Sequence, residues 1–197
     1  MRTLKSIFTF ILVLTVATNV VTAQTQKVNT EKSSLKWLGK KVGGQHNGAV
    51  KISGGELTQK DGKITAGNFT IDMTSITVED LTDPGYNAKL VGHLKSEDFF
   101  SVDKFNTATF KVTKVAAKKG EGSTHEVTGD LTIKGITNSI TFPANITLKS
   151  SGYIATAKFK VDRAKYDVRY GSTSFFDNIQ DKAIENDIEF DLYLVSK

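Results

Sequence analysis

Apolar and polar residues alternate with a period of two along most of the chain. In Tyr153–Val161 (YIATAKFKV) every second residue is apolar, and Thr or Lys fills most of the positions between. The same pattern recurs in Asn68–Met73, Ala108–Val112, Val127–Ile133, Ile136–Leu148 and Ile188–Leu194. This period is typical of strands with one dry and one solvated face, as in antiparallel sheets. Two more strands are expected near Ser34–Val42 and Gly48–Leu57.

Short glycine-containing sequences separate these segments and predict turns. They are Ser53–Gly55, Asp61–Gly62, Lys119–Ser123, Lys134–Gly135 and Ser150–Gly152. The segments therefore predict about eight antiparallel strands joined in sequence order, an all-β fold. Closing such a sheet into a single barrel would remove its exposed edges. A two-sheet sandwich fits the same pattern and stays an alternative.

One region, Glu79–Phe100, does not alternate. A turn at Asp83–Gly85 is followed by apolar residues at helical spacing, which predicts a short helix over Tyr86–Lys95. The loop after it carries Phe99 and Phe100. In a barrel, this helix-and-loop insertion would cover an open end.

The N-terminal residues 1–23 have the features of a cleavable secretory signal. Arg2 and Lys5 precede an apolar stretch, and small residues follow it up to Ala23, where we expect cleavage. A retained membrane anchor is the alternative, but it would need about 20 uninterrupted apolar residues. Residues 24–197 then form one domain, and the expected location is periplasmic or secreted.

The amino-acid composition excludes disulfide bonds and gives no indication of nucleic-acid binding. The chain contains no cysteine, so an exported domain must rely on packing and backbone pairing rather than on disulfides. Its net charge of +5 falls to +3 when Arg2 and Lys5 are removed, and 21 acidic residues are interspersed among the basic ones. This mildly basic surface does not indicate nucleic-acid binding.

Three separated motifs resemble those of the YceI-like proteins in order and spacing. They are HLKSEDFFSVDKFNTATF (His93–Phe110), VTGDLTIKGITNSITF (Val127–Phe142) and FKVDRAKYDV (Phe159–Val168). One departure is Asn106, where the family usually has proline. The resemblance implies an exported bacterial protein with a lipocalin-like barrel, and several members of the family bind polyisoprenoids or other long-chain lipids inside it.

The dry face predicts the lining of an internal cavity. The ten candidate residues are Phe69, Ile71, Met73, Phe110, Leu131, Ile133, Ile140, Phe142, Phe159 and Phe190. A solid core is the alternative, because an eight-stranded barrel either fills with its own side chains or holds one small ligand. Small residues on the same face leave room, and with the resemblance they favour a cavity; they are Ala108, Gly129, Ala144, Ala155 and Ala157.

The expected partner is an apolar small molecule: a polyisoprenoid, an isoprenoid quinone or a fatty acyl derivative, held for transport, storage or sequestration. Five residues are candidates for the mouth or cap: Phe99, Phe100, Arg163, Tyr166 and Arg169. An arginine there would suit a phosphate or carboxylate, although Asp162 and Asp167 favour internal salt bridges. The two phenylalanines alternatively anchor the helix to the barrel.

Nothing in the sequence predicts catalytic residues, a metal site or a cofactor. His46, His93 and His125 lack the spacing of metal ligands, and no nucleophile motif is present. We expect His93 to be structural and bonded to backbone, with pairing to Glu97 or Asp98 as the alternative. Two other functions stay open: an exported structural or stress-protective barrel without a ligand, and an enzyme acting on such lipids. A homodimer also stays open.

Overall fold

The described residues of the computed structural model, 22–118, 122–149, 151–177 and 179–197, form nine β-strands. The strands are β1 (Gln24–Lys27), β2 (Ser34–Lys41), β3 (Gly44–Lys60), β4 (Lys63–Asp72), β5 (Thr107–Ala117), β6 (His125–Ile133), β7 (Ile136–Lys149), β8 (Gly152–Asp162) and β9 (Ile184–Val195). The predicted signal segment lies outside the described residues except for Thr22 and Ala23.

Strands β2 to β9 close into an eight-stranded antiparallel barrel. Each pairs with the next along the chain, and β9 returns to pair with β2. The sandwich alternative is therefore wrong, and the predicted barrel is confirmed. The sequence did not predict β1, a short strand that continues the line of β2 along β3.

Strand β3 is long because it changes partners along its length. Its first half pairs with β2, whereas its second half pairs with β4 and β1. A register shift between Ile52 and Gly54 marks the change, and Gly55 has a φ of 151°. A Cβ at Gly55 would lie 2.6 Å from the backbone oxygen of Asn68. The turn expected at Ser53–Gly55 is thus a β-bulge, which bends the strand without ending it.

The connections differ between the two ends of the barrel. At one end, here called the cap end, residues 73–106 join β4 to β5 and residues 163–183 join β8 to β9. The opposite end, the turn end, carries the β3–β4, β5–β6 and β7–β8 turns and residues 28–33. The elements that cover the barrel therefore concentrate at the cap end.

The cap end contains the only α-helix of the described residues, α1 (Pro84–Lys95). The Asp83 side chain accepts a hydrogen bond from the Tyr86 N–H at 2.9 Å, and Pro84 occupies the first turn, where its missing N–H costs nothing. The helix thus begins two residues before its predicted start. Met73 lies in a 3₁₀ helix (Met73–Ser75) rather than in a strand. None of the described helices is long and apolar enough to cross a bilayer.

A second 3₁₀ helix, Arg163–Tyr166, follows β8 and lies over the barrel. Asn138, the one polar residue on the dry parity of β7, donates its side-chain amide to the carbonyl of Lys165 at 3.0 Å. Lys134 donates to the carbonyl of Asp167 at 2.6 Å. These two bonds attach the 3₁₀ helix to the β6–β7 hairpin.

Candidate functional site

The barrel encloses an apolar cavity of about 240 Å³. Phe110, Ile140 and Phe159 lie on the inward faces of their strands but are only partly buried, because they border this unfilled space. An apolar cavity of about 150 Å³ already holds benzene. The interior of this barrel is therefore large enough for a ligand.

The cavity is bordered by all ten residues predicted to line it. They are Phe69, Ile71, Met73, Phe110, Leu131, Ile133, Ile140, Phe142, Phe159 and Phe190. Contact of these side chains with a ligand stays a prediction.

Four phenylalanines form a continuous row across one wall of the cavity. The ring centroids of Phe110 and Phe142 are 5.6 Å apart, those of Phe142 and Phe159 are 4.3 Å apart, and those of Phe159 and Phe190 are 5.5 Å apart. The last two pairs are stacked. This row gives the wall a large, rigid apolar surface.

The small residues of the dry face contribute unequally to the free space. The alanines at 108, 144, 155 and 157 border the cavity. At Gly129, however, the Phe110 ring occupies the position of a side chain, and a Cβ there would lie 2.4 Å from Phe110 Cζ. The glycine therefore makes room for an aromatic ring of the wall rather than for a ligand.

Phe99 and Phe100 both anchor the cap and border the cavity. Phe99 is 6% exposed, and its ring lies 5.1 Å from that of Phe100. The Arg163 guanidinium lies 5.4 Å from the Phe99 ring centroid. Phe99 thus joins the loop after α1 to the segment after β8.

His93 also borders the cavity, and its ring makes edge contacts with aromatic neighbours. Its centroid lies 4.3 Å from that of Tyr170 and 5.9 Å from that of Phe99. Within the described residues the imidazole makes no hydrogen bond, so the expected bond to backbone is wrong. Of its alternative partners, Glu97 pairs instead with Lys104 at 2.5 Å, and Asp98 makes no ion pair among the described residues.

Arg163 is 2% exposed and borders the cavity beneath the cap. Its guanidinium donates to four backbone carbonyls, those of Val168 (2.9 Å), Tyr170 (2.9 Å), Ile184 (3.1 Å) and Glu185 (3.1 Å). Burial lowers the pKa of Arg163, and the Asp162 charge opposes this effect. The predicted salt bridge is wrong here, because Asp162 instead accepts from the Ala164 N–H at 3.0 Å.

Tyr166 is 1% exposed and also borders the cavity. Its hydroxyl has no hydrogen-bond partner among the described residues. Burial raises its pKa to about 12, and the Asp162 charge adds to the shift. The Tyr153 hydroxyl is likewise buried and unpartnered, with a pKa raised by burial to about 12, but Tyr153 does not border the cavity.

Arg169 does not join the other predicted cap residues at the cavity. Its Nε lies 2.5 Å from Asp167 Oδ1, and its guanidinium lies 5.1 Å from the Phe175 ring centroid. The salt bridge predicted from the neighbouring aspartate is thus present for Arg169. Arg163 borders the cavity and Arg169 does not, so the two arginines do not line it together.

The sequence pattern missed a polar rim beside the β2–β3 hairpin. Lys40, Lys41, His46 and Glu185 border the cavity there. A register shift between Gly39 and Lys41 interrupts the alternation, so two successive lysines reach the same space. The alternation gives no signal for this irregularity, which depends on pairing with β9.

Two of the rim side chains are held in pairs. Lys40 Nζ lies 2.6 Å from Glu189 Oε1, and His46 Nδ1 lies 2.8 Å from Asp80 Oδ2. Burial would raise the pKa of Asp80, but the Asn47 N–H and His46 bond to its carboxylate and bring the pKa below its usual value. The rim is therefore a structured edge of the cavity.

Comparison with known proteins identifies the family to which this chain is similar. The model of the YceI-like domain matches residues 26–195. A UPF0312 protein of Vibrio parahaemolyticus is 34% identical over 128 residues, which cover 57% of this chain and 66% of that protein. A UPF0312 protein of Pseudomonas aeruginosa is 33% identical over 94 residues, covering 47% of this chain and 48% of that protein. The matched part thus spans between two fifths and two thirds of the first curated relatives.

Solved structures share the fold at low sequence identity. BcnA of Burkholderia cenocepacia superposes with a TM-score of 0.66 at 23% identity, covering 86% of this chain and 99% of that chain. A polyisoprenoid binding domain from Saccharophagus degradans superposes with a TM-score of 0.60 at 14% identity, covering 87% and 97%. Because the family match covers nearly the whole described chain, the protein belongs to the YceI-like domain family.

Proposed function

We propose that this protein binds a long apolar molecule in its barrel. The observation that carries the proposal is the apolar cavity of about 240 Å³, bordered by the dry faces of the barrel strands. The candidate ligands are polyisoprenoids, isoprenoid quinones and fatty acyl derivatives. The Saccharophagus degradans domain of similar fold, described as polyisoprenoid binding, supports this class of ligand.

The wall offers apolar contact along most of its length, so chain length and shape should determine affinity. Each buried CH₂ group contributes about 0.8 kcal/mol, and ten of them about 8 kcal/mol before the cost of association is subtracted. Affinity should therefore rise with chain length until the cavity is full.

Binding accounts for the site better than catalysis. Several polar groups at the cavity are held by protein partners: Arg163 by four carbonyls, Lys40 by Glu189 and His46 by Asp80. Because the N-terminal residues predict a secretory signal, we propose that the protein transports, stores or sequesters a lipid in the periplasm or outside the cell.

Native mass spectrometry of the freshly purified mature protein tests the proposal. We expect a mass excess that solvent extraction removes, and the extract should contain a molecule with a long hydrocarbon chain. The extracted protein should then take up labelled prenyl or acyl chains. A protein without a mass excess that also rejects both kinds of chain would contradict the proposal and favour a barrel without a ligand.

A further inference from the structure

Most of the large apolar side chains that are exposed lie at the cap end, to which the β2–β3 and β6–β7 turns also belong. Among the described residues seven such side chains are exposed, and six of them are at this end: Val42, Tyr86, Ile136, Tyr170, Phe175 and Phe176. The seventh, Tyr193, lies near the far end of β9. Single exposed apolar residues are ordinary on protein surfaces, but their concentration at one end indicates an interaction surface.

The cavity reaches the protein surface at the same end. Among the described residues that border the cavity, only Lys41 and Glu185 are exposed. Both belong to the polar rim beside the β2–β3 hairpin, and the other bordering residues are buried or half-buried. The rim is therefore the mouth of the cavity.

Four of the exposed apolar residues lie near this mouth and are called the mouth patch here: Val42, Tyr170, Phe175 and Phe176. Val42 directly follows a residue of the mouth, and its N–H donates to the Ala183 carbonyl at 3.1 Å. Tyr170 precedes Gly171, whose carbonyl accepts from the Ile184 N–H at 2.7 Å. Tyr170 also borders one small surface pocket together with Phe176. The patch thus extends from the hairpin along the segment that follows β8.

The turn that carries the two phenylalanines is firmly anchored, so their exposure is part of the fold. The N–H groups of Phe175 and Phe176 both donate to the Ser172 carbonyl at 3.1 Å. Ser172 is 0% exposed, and its hydroxyl donates to Asn186 Oδ1 at 2.7 Å. The Asn186 amide in turn donates to Ser174 Oγ at 2.7 Å. The backbone of the turn is therefore bonded to β9 while both rings stay exposed.

The mouth patch is too small for a stable dimer and has the composition of a membrane contact. An aromatic side chain has about 150–250 Å² of surface, so the four side chains, which are 39–52% exposed, offer about 300 Å² together. A stable protein interface buries about 800 Å² on each partner. Aromatic side chains beside basic ones are typical of surfaces that enter the interface of a bilayer.

We propose that the mouth patch docks on a lipid bilayer, so that an apolar chain passes between the membrane and the cavity. Contact at the mouth spares the hydrocarbon chain a passage through water. The docking is reversible, because stable anchoring requires more apolar burial than four side chains supply. The loading of the cavity rests on the proposed function, whereas the docking itself does not.

Charges of both signs flank the patch, so apolar contact should supply most of the affinity. Lys41 and Arg169 each precede a patch residue in the chain, whereas Asp177 follows Phe176 and Glu185 lies at the mouth. Salt should therefore weaken the docking only slightly. Zwitterionic phosphatidylcholine is for the same reason a sufficient membrane partner.

Co-sedimentation of the delipidated full mature protein with phosphatidylcholine vesicles tests the docking. The parent protein should sediment with the vesicles in a saturable manner. The double variant Phe175→Ser, Phe176→Ser removes two exposed rings and should bind the vesicles about tenfold more weakly or less. Transfer of a labelled acyl chain from the vesicles to this variant should slow, while its equilibrium uptake stays unchanged because the cavity is intact.

Tyr193→Ser is the matched control, because Tyr193 is 39% exposed, like Phe175, but lies on β9 away from the cap end. It should sediment with vesicles and take up chains like the parent protein. The substituted side chains are exposed in both variants, so both should fold, as thermal melts would verify.

The two proposals fail in different ways. A parent protein that does not sediment with vesicles, or a double variant that sediments equally well, overturns the docking, and the apolar-chain function stands if labelled chains are still taken up. A dimer of the parent protein that the double variant loses, without vesicle binding, assigns the patch to a second copy and also overturns the docking. If the parent protein sediments with vesicles but takes up no labelled chain, the docking stands, and the proposed function and the loading role are overturned.

Discussion

Filling the cavity from within should weaken ligand binding without unfolding the barrel, and Ala157→Leu is the most informative such change. Ala157 lies on β8, is 6% exposed and borders the cavity. Leucine adds three carbons at this position. In a solid core, such overpacking would cost about 1–3 kcal/mol or more.

The expected changes in stability and ligand affinity follow from the unfilled volume of the cavity. Three added carbons placed in an apolar void gain about 2.4 kcal/mol of burial, which offsets the strain, so the free energy of unfolding should change little. The same three carbons take that room from the ligand. A chain that fills the cavity should lose about 2.4 kcal/mol, or about 50-fold in affinity.

The assay combines urea denaturation with binding titrations over a series of alkyl chain lengths. The optimum length in Ala157→Leu should shorten by about three carbons, and chains short enough to fit the remaining room should bind normally. Lys158→Leu is the matched control, because Lys158 is the next residue of β8 and its side chain is 83% exposed. The control should leave the whole series unchanged.

Two results would contradict the expected behaviour of Ala157→Leu. Unfolding of Ala157→Leu would show that the barrel has no room for three carbons at this position. Unchanged affinity for long chains in a folded variant would show that the ligand does not occupy the cavity beside β8.

Two further predictions concern the cap and the buried tyrosines. Arg163→Met leaves four carbonyls without a donor and should lower the free energy of unfolding by about 3–5 kcal/mol. Hydrogen exchange should accelerate first at residues 168–171 and 184–185. Uniform protection would contradict the role of Arg163 in holding the cap. Tyr153 and Tyr166, whose pKa values are raised from 10.0 to about 12 by burial, stay neutral in the folded state while the unfolded chain ionises. Their contribution to the free energy of unfolding is therefore complete below pH 10. Between about pH 10 and 12 each tyrosine loses about 2–3 kcal/mol of that contribution. The double variant Tyr153→Phe, Tyr166→Phe should show a smaller alkaline loss of stability in denaturant titrations, and an identical loss would contradict the shifts.

The alternation of the sequence predicted the strands and their dry faces, whereas a barrel rather than a sandwich was favoured by the removal of exposed edges and by the family resemblance. A period of two assigns each side chain to one face of a strand, and closure of the sheet turns the dry faces inward. Nine of the ten residues predicted for the cavity border it from strands for this reason, and Met73 borders it from a 3₁₀ helix. Helix α1 was predicted for a similarly local reason, the turn at Asp83–Gly85 and the spacing after it.

The contacts that determine the chemistry of the site depend on residues distant in sequence. Local charge suggested that Asp162 would pair with Arg163, but the fold brings the carbonyls of Ile184 and Glu185 to its guanidinium. The bulge before Lys41 depends on the register between β2 and β9. No pattern along the chain encodes either arrangement, so sequence analysis could name Arg163 but not its partners.

Trp37 can report directly on whether a hydrocarbon chain lies inside the barrel. It is the only tryptophan of the chain, it borders the cavity, and its Nε1 donates to the Thr77 carbonyl at 3.2 Å. Alkyl chains brominated at successive carbons quench tryptophan emission by contact. If a chain lies inside the barrel, we expect saturable quenching that depends on bromine position and is reversed by unbrominated chains. Emission that stays constant for every bromine position, while the chains bind, would place the ligand outside the barrel and contradict binding in the cavity.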